Sequence, residues 1–341
     1  MRPTTRGIAV VAIGLLLITS LIANLISAKP DEGGVGGPQA TVNPDKDPKK
    51  IIIESNKDEK NISMYNHREK KLVVMSLEEY LLGVVAGEMP ASYNEEALKA
   101  QAVAARTLTI YKMPAYGGRG CNQVSGADVC SSFAHCQEWI SEDQMRKNWG
   151  DQYEDYVGKL RRVIQETSGQ IMTYNGKPIE VFYHSTSNGR TEEVSEVFSN
   201  ALPYYTSVES VGEENAPKFE GSVSISNQQF ADKFNSKYGI KLDPNNLSSQ
   251  IKINGYTDSG RIQDISVGGK KLRATDFRLL YGLNSTDISF VFGKDSITMN
   301  TKGFGHGVGM SQVGADRMAD RGNNYTEILK HYYKGVEISK Y

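Results

Sequence analysis

The residues able to do chemistry fall in four short stretches. The first is residues 83–106, GVVAGEMPASYNEEALKAQAVAAR. It carries one carboxyl, Glu88, on a predicted turn just ahead of a helix. A helix start offers free N–H groups and partial positive charge, and Met89-Pro90 pushes the backbone away from helix. A single acid placed this way can deliver a proton. Lys99, Gln101 and Arg106 follow among small alanines, and Arg106, turned inward, would bind an anionic substrate or orient Glu88. Spacing alone equally describes an exposed loop acid, the common situation of glutamate.

The second stretch, residues 303–312 (GFGHGVGMSQ), sets His306 between alternating glycines. Such a loop lets backbone approach a ligand and reads as a binding element or a structural turn. The third, residues 182–191 (FYHSTSNGRT), gathers His184, Ser185 and further hydroxyl and amide groups. That set suits hydrogen bonding to sugar hydroxyls, and it also describes a polar turn. The fourth holds Cys121, Cys130 and Cys136 with His135. Three thiols and an imidazole match a tetrahedral zinc site in ligand type. No C-x-x-C pair is present, and one disulfide with a spare thiol is the alternative.

These groups need elements to position them. Strands are predicted at 51–53, 62–65 and 71–75. Ser76-x-x-Glu79 is a capping box that opens a helix over 80–85, and Ser92-x-x-Glu95 a second that opens a helix to about 111. Residues 117–136 read as a loop, and 143–167 as a helix with Tyr156, Leu160 and Val163 as its buried stripe. Asn175-Gly176 predicts a type I′ turn in a hairpin over 170–185. Further on, a strand at 222–223, a helix over 226–238 ended by Gly239 and strands at 251–255 and 261–267 are expected. Thr275 is a candidate cap for a helix over 276–281. Strands at 290–292 and 296–299 and helix over 311–333, turning at Gly322-Asn323, complete an α+β pattern. There is no internal repeat.

The chain has 341 residues, 39 basic and 40 acidic, for a net charge of -1. That balance gives no sign of a nucleic-acid partner. Residues 8–26 form an uncharged apolar run, about the length that spans a bilayer. Arg2 and Arg6 precede it, and Lys29, Asp31 and Glu32 follow, so the positive-inside tendency leaves the N-terminus cytoplasmic and the rest outside. A cleaved signal peptide is the rival, but its apolar core is usually shorter. The expected organisation is a tip and membrane anchor over 1–28, a Gly/Pro-rich flexible tether over 29–50 and one catalytic region over 51–341.

The four stretches together resemble the stage II sporulation protein D family of bacterial lytic transglycosylases. V-A-G-E-M-P, E-A-L-K-A-Q-A-V-A-A-R-T, F-Y-H-S-T-S-N-G-R-T-E and G-H-G-V-G-M-S-Q-V-G-A occur in the family's order, within a resemblance covering about residues 76–341. The resemblance implies cleavage of peptidoglycan glycan strands between N-acetylmuramic acid and N-acetylglucosamine during sporulation engulfment, leaving 1,6-anhydro ends, with Glu88 as the acid. Lys99, Gln101, Arg106, His184, Ser185 and His306 become substrate-binding or orienting candidates. G-A-D-V-C and H-C-Q match sporulation members in which zinc is bound. Some relatives have histidine where this chain has Val124, and Cys121 is the natural substitute ligand. The implied setting is a single-pass membrane protein working between mother-cell and forespore membranes with other wall-remodelling proteins. A glycan-binding module that recruits or activates another wall hydrolase, and zinc-dependent hydrolysis at the cysteine cluster, are the other readings.

Overall fold

The computed structural model describes residues 51–52, 60–198 and 201–341. The expected anchor (1–28) and tether (29–50) lie outside the described residues. Among the described residues no helix is long and apolar enough to cross a membrane.

Alternating apolar residues build the first sheet. Strand β2 (Asn61–Asn66) pairs antiparallel with β3 (Lys71–Ser76), Ile62 opposite Met75 and Met64 opposite Val73. β1 (Ile51–Ile52) runs parallel beside β3, and β4 (Val129–Cys130) parallel beside β2. Ser76 then caps helix α1 (Leu77–Glu88), its hydroxyl accepting from the Glu79 N–H at 3.2 Å. The helix runs three residues beyond its expected end, and the extended Met89 ahead of Pro90 stops it.

Helix α2 (Glu95–Lys112) starts on Asn94, whose side chain accepts from the Glu96 N–H. The expected capping box at Ser92 does not form, because 90–93 is a turn closed by Tyr93 N–H to Pro90 O. The helix expected over 143–167 divides into α3 (Glu142–Trp149) and α4 (Tyr153–Glu166). Gly150, at φ 51° and ψ −123°, takes a backbone conformation open mainly to glycine, ends α3 and breaks the run.

β5 (Gln170–Tyr174) and β6 (Lys177–Pro178) form the hairpin, with Asn175 and Gly176 both at positive φ as a type I′ turn requires. It is shorter than expected: β6 ends at Pro178, which has no N–H to continue a ladder. The chain then runs to β7 (Tyr183–His184), which pairs parallel with Met310–Ser311 from the far end of the chain.

The α+β expectation holds, and the described residues of the 51–341 region contain two large hydrophobic cores. The first packs α1, α2 and α4 against β5 and the C-terminal helices Gln312–Asp320 and Tyr325–Tyr332. The second is built from residues that lie in sequence between the stretches 182–191 and 303–312. Phe230, Phe234, Phe277, Ile297 and Met299 fill it, under the sheet formed by Glu220–Ser226, Ser296–Lys302 and Ile288–Phe292. Its helix Asn227–Tyr238 has the Ser226 capping box and the Gly239 left-handed cap. Thr275 caps nothing: its helix is Ala274–Tyr281, starting two residues earlier than that cap allows.

Candidate active site

Glu88 is the last residue of α1, not part of a turn leading into α2. The expected help from a helix N-terminus is therefore reversed. It stands at a helix C-terminus, whose partial negative charge favours the protonated carboxyl. The residue keeps some solvent access, while its carboxyl is enclosed. Burial pushes its pKa up to about 7. Opposing that rise are hydrogen bonds from the Glu138 N–H, at 2.7 Å to Oε1, and from the side chains of Tyr183 and Gln312. The nearby Glu138 carboxylate adds to the rise, and burial raises Glu138's own pKa.

The Tyr183 hydroxyl also donates to Gln137 Oε1 at 2.9 Å. Gln137 is fixed from behind, its amide donating to Thr109 Oγ1 at 3.2 Å and Tyr80 OH at 3.4 Å. A phenol has one proton to give. When Glu88 is ionised, Tyr183 can donate to it. When Glu88 is protonated, Glu88 can donate to Tyr183 while Tyr183 donates to Gln137. Ionisation of Glu88 thus takes the Tyr183 proton away from Gln137 Oε1.

Topology brings Tyr183 and Gln312 here. Besides the β7 pairing, the third stretch and the second are joined by bridges Thr186–Phe304 and Glu192–Val308. Gly309 (φ 73°) allows the closeness, since a Cβ there would lie 2.0 Å from the Phe182 carbonyl oxygen. Buried Glu213 pins both strands, accepting from Ser187 N–H at 2.7 Å and Ser311 Oγ at 2.7 Å. Ser311 caps Gln312–Asp320, which leaves Gln312 in the first turn facing Glu88.

The expected binding residues separate. Gln101 belongs to the site: its Oε1 accepts from Gln312 Nε2 at 3.4 Å, and its own buried amide nitrogen has no protein partner. Arg106 does not. It is fully buried and paired with Glu78 at 2.8 Å, and it donates to the Thr167, Gln170 and Ile164 carbonyls. Glu78 and Glu88 sit at opposite ends of α1, about 15 Å apart at 1.5 Å per residue. Arg106 is thus a structural tie, because a buried guanidinium requires such partners. Lys99 is likewise engaged, at 2.8 Å from Glu96 and 2.7 Å from Glu166.

His184 is buried on the face of β7 opposite Tyr183, with Nδ1 3.2 Å from the Val308 carbonyl. His306 lies beside it, ring centroids 5.8 Å apart. Burial and the Arg278 and Arg261 guanidinia hold His306 neutral, with its pKa lowered to about 4. These imidazoles shape the joint behind β7. The Ser185 hydroxyl bonds Thr186 at 3.1 Å. Sequence reasoning missed Tyr183, Gln312, Gln137 and Glu138 as site groups. The first two stand inside the quoted motifs, and Gln137 and Glu138 directly follow the last cysteine.

The cysteine cluster sits at the same wall. All three thiols are free. Sγ of Cys121, Cys130 and Cys136 lie 3.5, 3.4 and 3.4 Å from His135 Nδ1. The four donor atoms fall within 4.8 Å of one another. A tetrahedron with Zn–N near 2.0 Å and Zn–S near 2.3 Å has N···S edges of about 3.5 Å. These residues could therefore hold a tetrahedral divalent ion, with Asn122 bonded to His135 Nε2 to fix the ring. Cys136 leads directly into Gln137 and Glu138, the residues that hold Tyr183 and Glu88.

Comparison with known proteins identifies the family. A family model described as stage II sporulation protein matches residues 65–174. Stage II sporulation protein D of Bacillus subtilis (strain 168) is 39% identical over 280 residues, 82% of this chain and 79% of that protein. Its counterpart from Bacillus amyloliquefaciens is 38% identical over 280 residues, again 82% and 79%. A Bacillus subtilis protein named amidase enhancer is 27% identical over 319 residues, 76% of this chain and 40% of that protein. The chain belongs to the stage II sporulation protein D family.

Proposed function

We propose that this protein is a membrane-anchored lytic transglycosylase that cleaves peptidoglycan glycan strands during sporulation engulfment. The observation that carries the reading is the enclosed Glu88 carboxyl, with a pKa near 7 and three hydrogen-bond donors around it. A carboxyl poised there can both give and take a proton at neutral pH. Glu88 protonates the oxygen between N-acetylmuramic acid C1 and N-acetylglucosamine O4, and the C1–O4 bond breaks. The muramic acid's own O6 closes onto C1, and its proton goes to the Glu88 carboxylate. The acid is regenerated, no water is consumed, and a 1,6-anhydro end results. Tyr183, Gln312 and the Glu138 N–H stabilise the carboxylate between the two transfers.

We further assign zinc to Cys121, Cys130, His135 and Cys136. Zinc there would cross-link the loop that carries Gln137 and Glu138, and a thiolate-rich closed shell suits that structural role. The working location is the space between mother-cell and forespore membranes, anchored through residues 8–26, alongside other wall-remodelling proteins.

A second reading is favoured by the relative named amidase enhancer: a glycan-binding module that recruits or activates another wall hydrolase. Mass spectrometry of purified glycan strands incubated with residues 29–341 separates the two. Anhydro-muramic ends that disappear with Glu88→Gln support the transglycosylase. Binding without products supports the second reading. Reducing ends would mean hydrolysis, with Glu138 as the second carboxylate, and Glu138→Gln would then abolish them while leaving a transglycosylase active.

A further inference from the structure

The loop between Cys130 and Cys136 presents Phe133 with 74% of its surface exposed, matched among exposed large apolar residues only by Leu279 at 74%. A single exposed apolar residue ordinarily calls for no explanation. Phe133 differs in where it is held. Its backbone N–H bonds the Glu138 carboxylate, and the N–H of the same Glu138 bonds Glu88 Oε1 at 2.7 Å. The Phe133 backbone thus stands two contacts from the acid, and its side chain is exposed there. The backbone beneath it is fixed on both sides: Ser131 N–H bonds Tyr65 O at 3.0 Å, and Cys136 N–H bonds Ser132 O at 2.7 Å. An aromatic face on an anchored loop loses little freedom on meeting a ligand.

A polar neighbour completes the rim. Arg68, on the β2–β3 turn, approaches Glu138 Oε1 at 3.6 Å, and its side chain stays 58% exposed. Its other contact is with Gln144 Oε1 at 3.4 Å. The guanidinium therefore keeps donors for a ligand. The turn is tied to the Phe133 loop by His67 N–H to Ser131 Oγ at 3.0 Å. A residue with an exposed aromatic ring and a forked donor thus both meet one carboxylate beside the acid. This matches a pyranose, which has an apolar face of axial C–H bonds and a polar edge of hydroxyl and acetamido oxygens.

We propose that Phe133 and Arg68 form a sugar subsite next to Glu88, Phe133 stacking on one pyranose ring of a glycan strand and Arg68 bonding its polar edge. This rests on the glycan reading of Glu88, and the test keeps the two apart. Binding of a β-1,4-linked N-acetylglucosamine hexasaccharide is measured by calorimetry on Glu88→Gln protein, which cannot consume it, with and without Phe133→Ala. About tenfold weaker binding is expected from Phe133→Ala, retained binding from Phe133→Tyr, and a smaller loss from Arg68→Ala. Metal content and melting temperature equal to the parent's show that the loop is intact. Equal affinity for Phe133→Ala and its parent overturns the subsite, as does a parent that does not bind. A Phe133-dependent affinity in a protein whose Glu88 form makes no anhydro ends upholds the subsite and removes the catalytic reading.

Discussion

Glu88 shows how an ordinary side chain is given an unusual proton affinity. Enclosure raises its pKa to about 7, and the Tyr183, Gln312 and Glu138 donors limit the rise. An acid catalyst must start protonated, so kcat/KM should be flat at low pH and fall as pH rises through about 7. Tyr183→Phe removes a donor that favours the carboxylate, so the falling limb should move to higher pH. An unmoved limb would show that Tyr183 does not act on Glu88. Stability carries the same signature. The unfolded chain loses this proton near pH 4.5, the folded one near 7, so the folded state binds more protons between them and loses stability as pH rises. Glu88→Gln escapes that cost. Urea unfolding should find it equal to the parent at pH 4 and more stable at pH 8, by on the order of 3 kcal/mol. Glu88 was legible in the sequence because its motif is contiguous. Its partners come from positions 138, 183 and 312, and no spacing rule joins residues so far apart.

Elements with strong local signals were legible, and their ends were not. Ser76, Ser226 and Gly239 cap their helices as their residue types predict. Elsewhere tertiary contacts decided. The turn at 90–93 moved the α2 cap to Asn94, Gly150 divided α3 from α4, and β7 left its expected hairpin for a parallel partner more than a hundred residues away. Arg106 was misread for a related reason. A basic residue on an alanine-rich helix looks available, and only packing reveals that α1, α4 and β5 close over it. Its guanidinium joins Glu78 of α1 to carbonyls at the end of α4 and the start of β5. Arg106→Ala should therefore cost about 3–5 kcal/mol, since it strands a carboxylate and several carbonyls. Lys cannot reproduce the fork and should recover only part of the loss. Denaturant titration measures this. An unchanged unfolding midpoint with a raised KM would instead return Arg106 to the substrate.

The described residues join two cores and a cysteine-bearing loop, and one carboxyl lies against that loop and the first core. The second core is an excursion between the two strands that deliver Tyr183 and Gln312, and it returns to them through polar contacts such as Asn188 to Asp287 at 2.9 Å and Glu192 to Ser259 at 2.7 Å. On the opposite wall, the cysteine loop has two kinds of support. Asp128 exchanges hydrogen bonds with Ser63 of β2, and β4 pairs beside β2, without any ion. The stretch from Ser131 to Glu138 has hydrogen bonds at its ends, from Ser131 to Tyr65 and from Gln137 to Thr109, and the convergence of three thiols and His135 in between. With zinc bound as proposed, its withdrawal by a chelator should loosen that stretch while both cores stay folded. Glu88 would lose the Glu138 N–H, and Tyr183 would lose its Gln137 acceptor. Activity is expected to fall at least tenfold with the circular dichroism spectrum nearly unchanged. Hydrogen exchange should rise across 121–138 and stay unchanged in α2 and in the second core. Full activity after verified metal removal would uncouple the cluster from the acid. Global unfolding would make it a support of the entire first core.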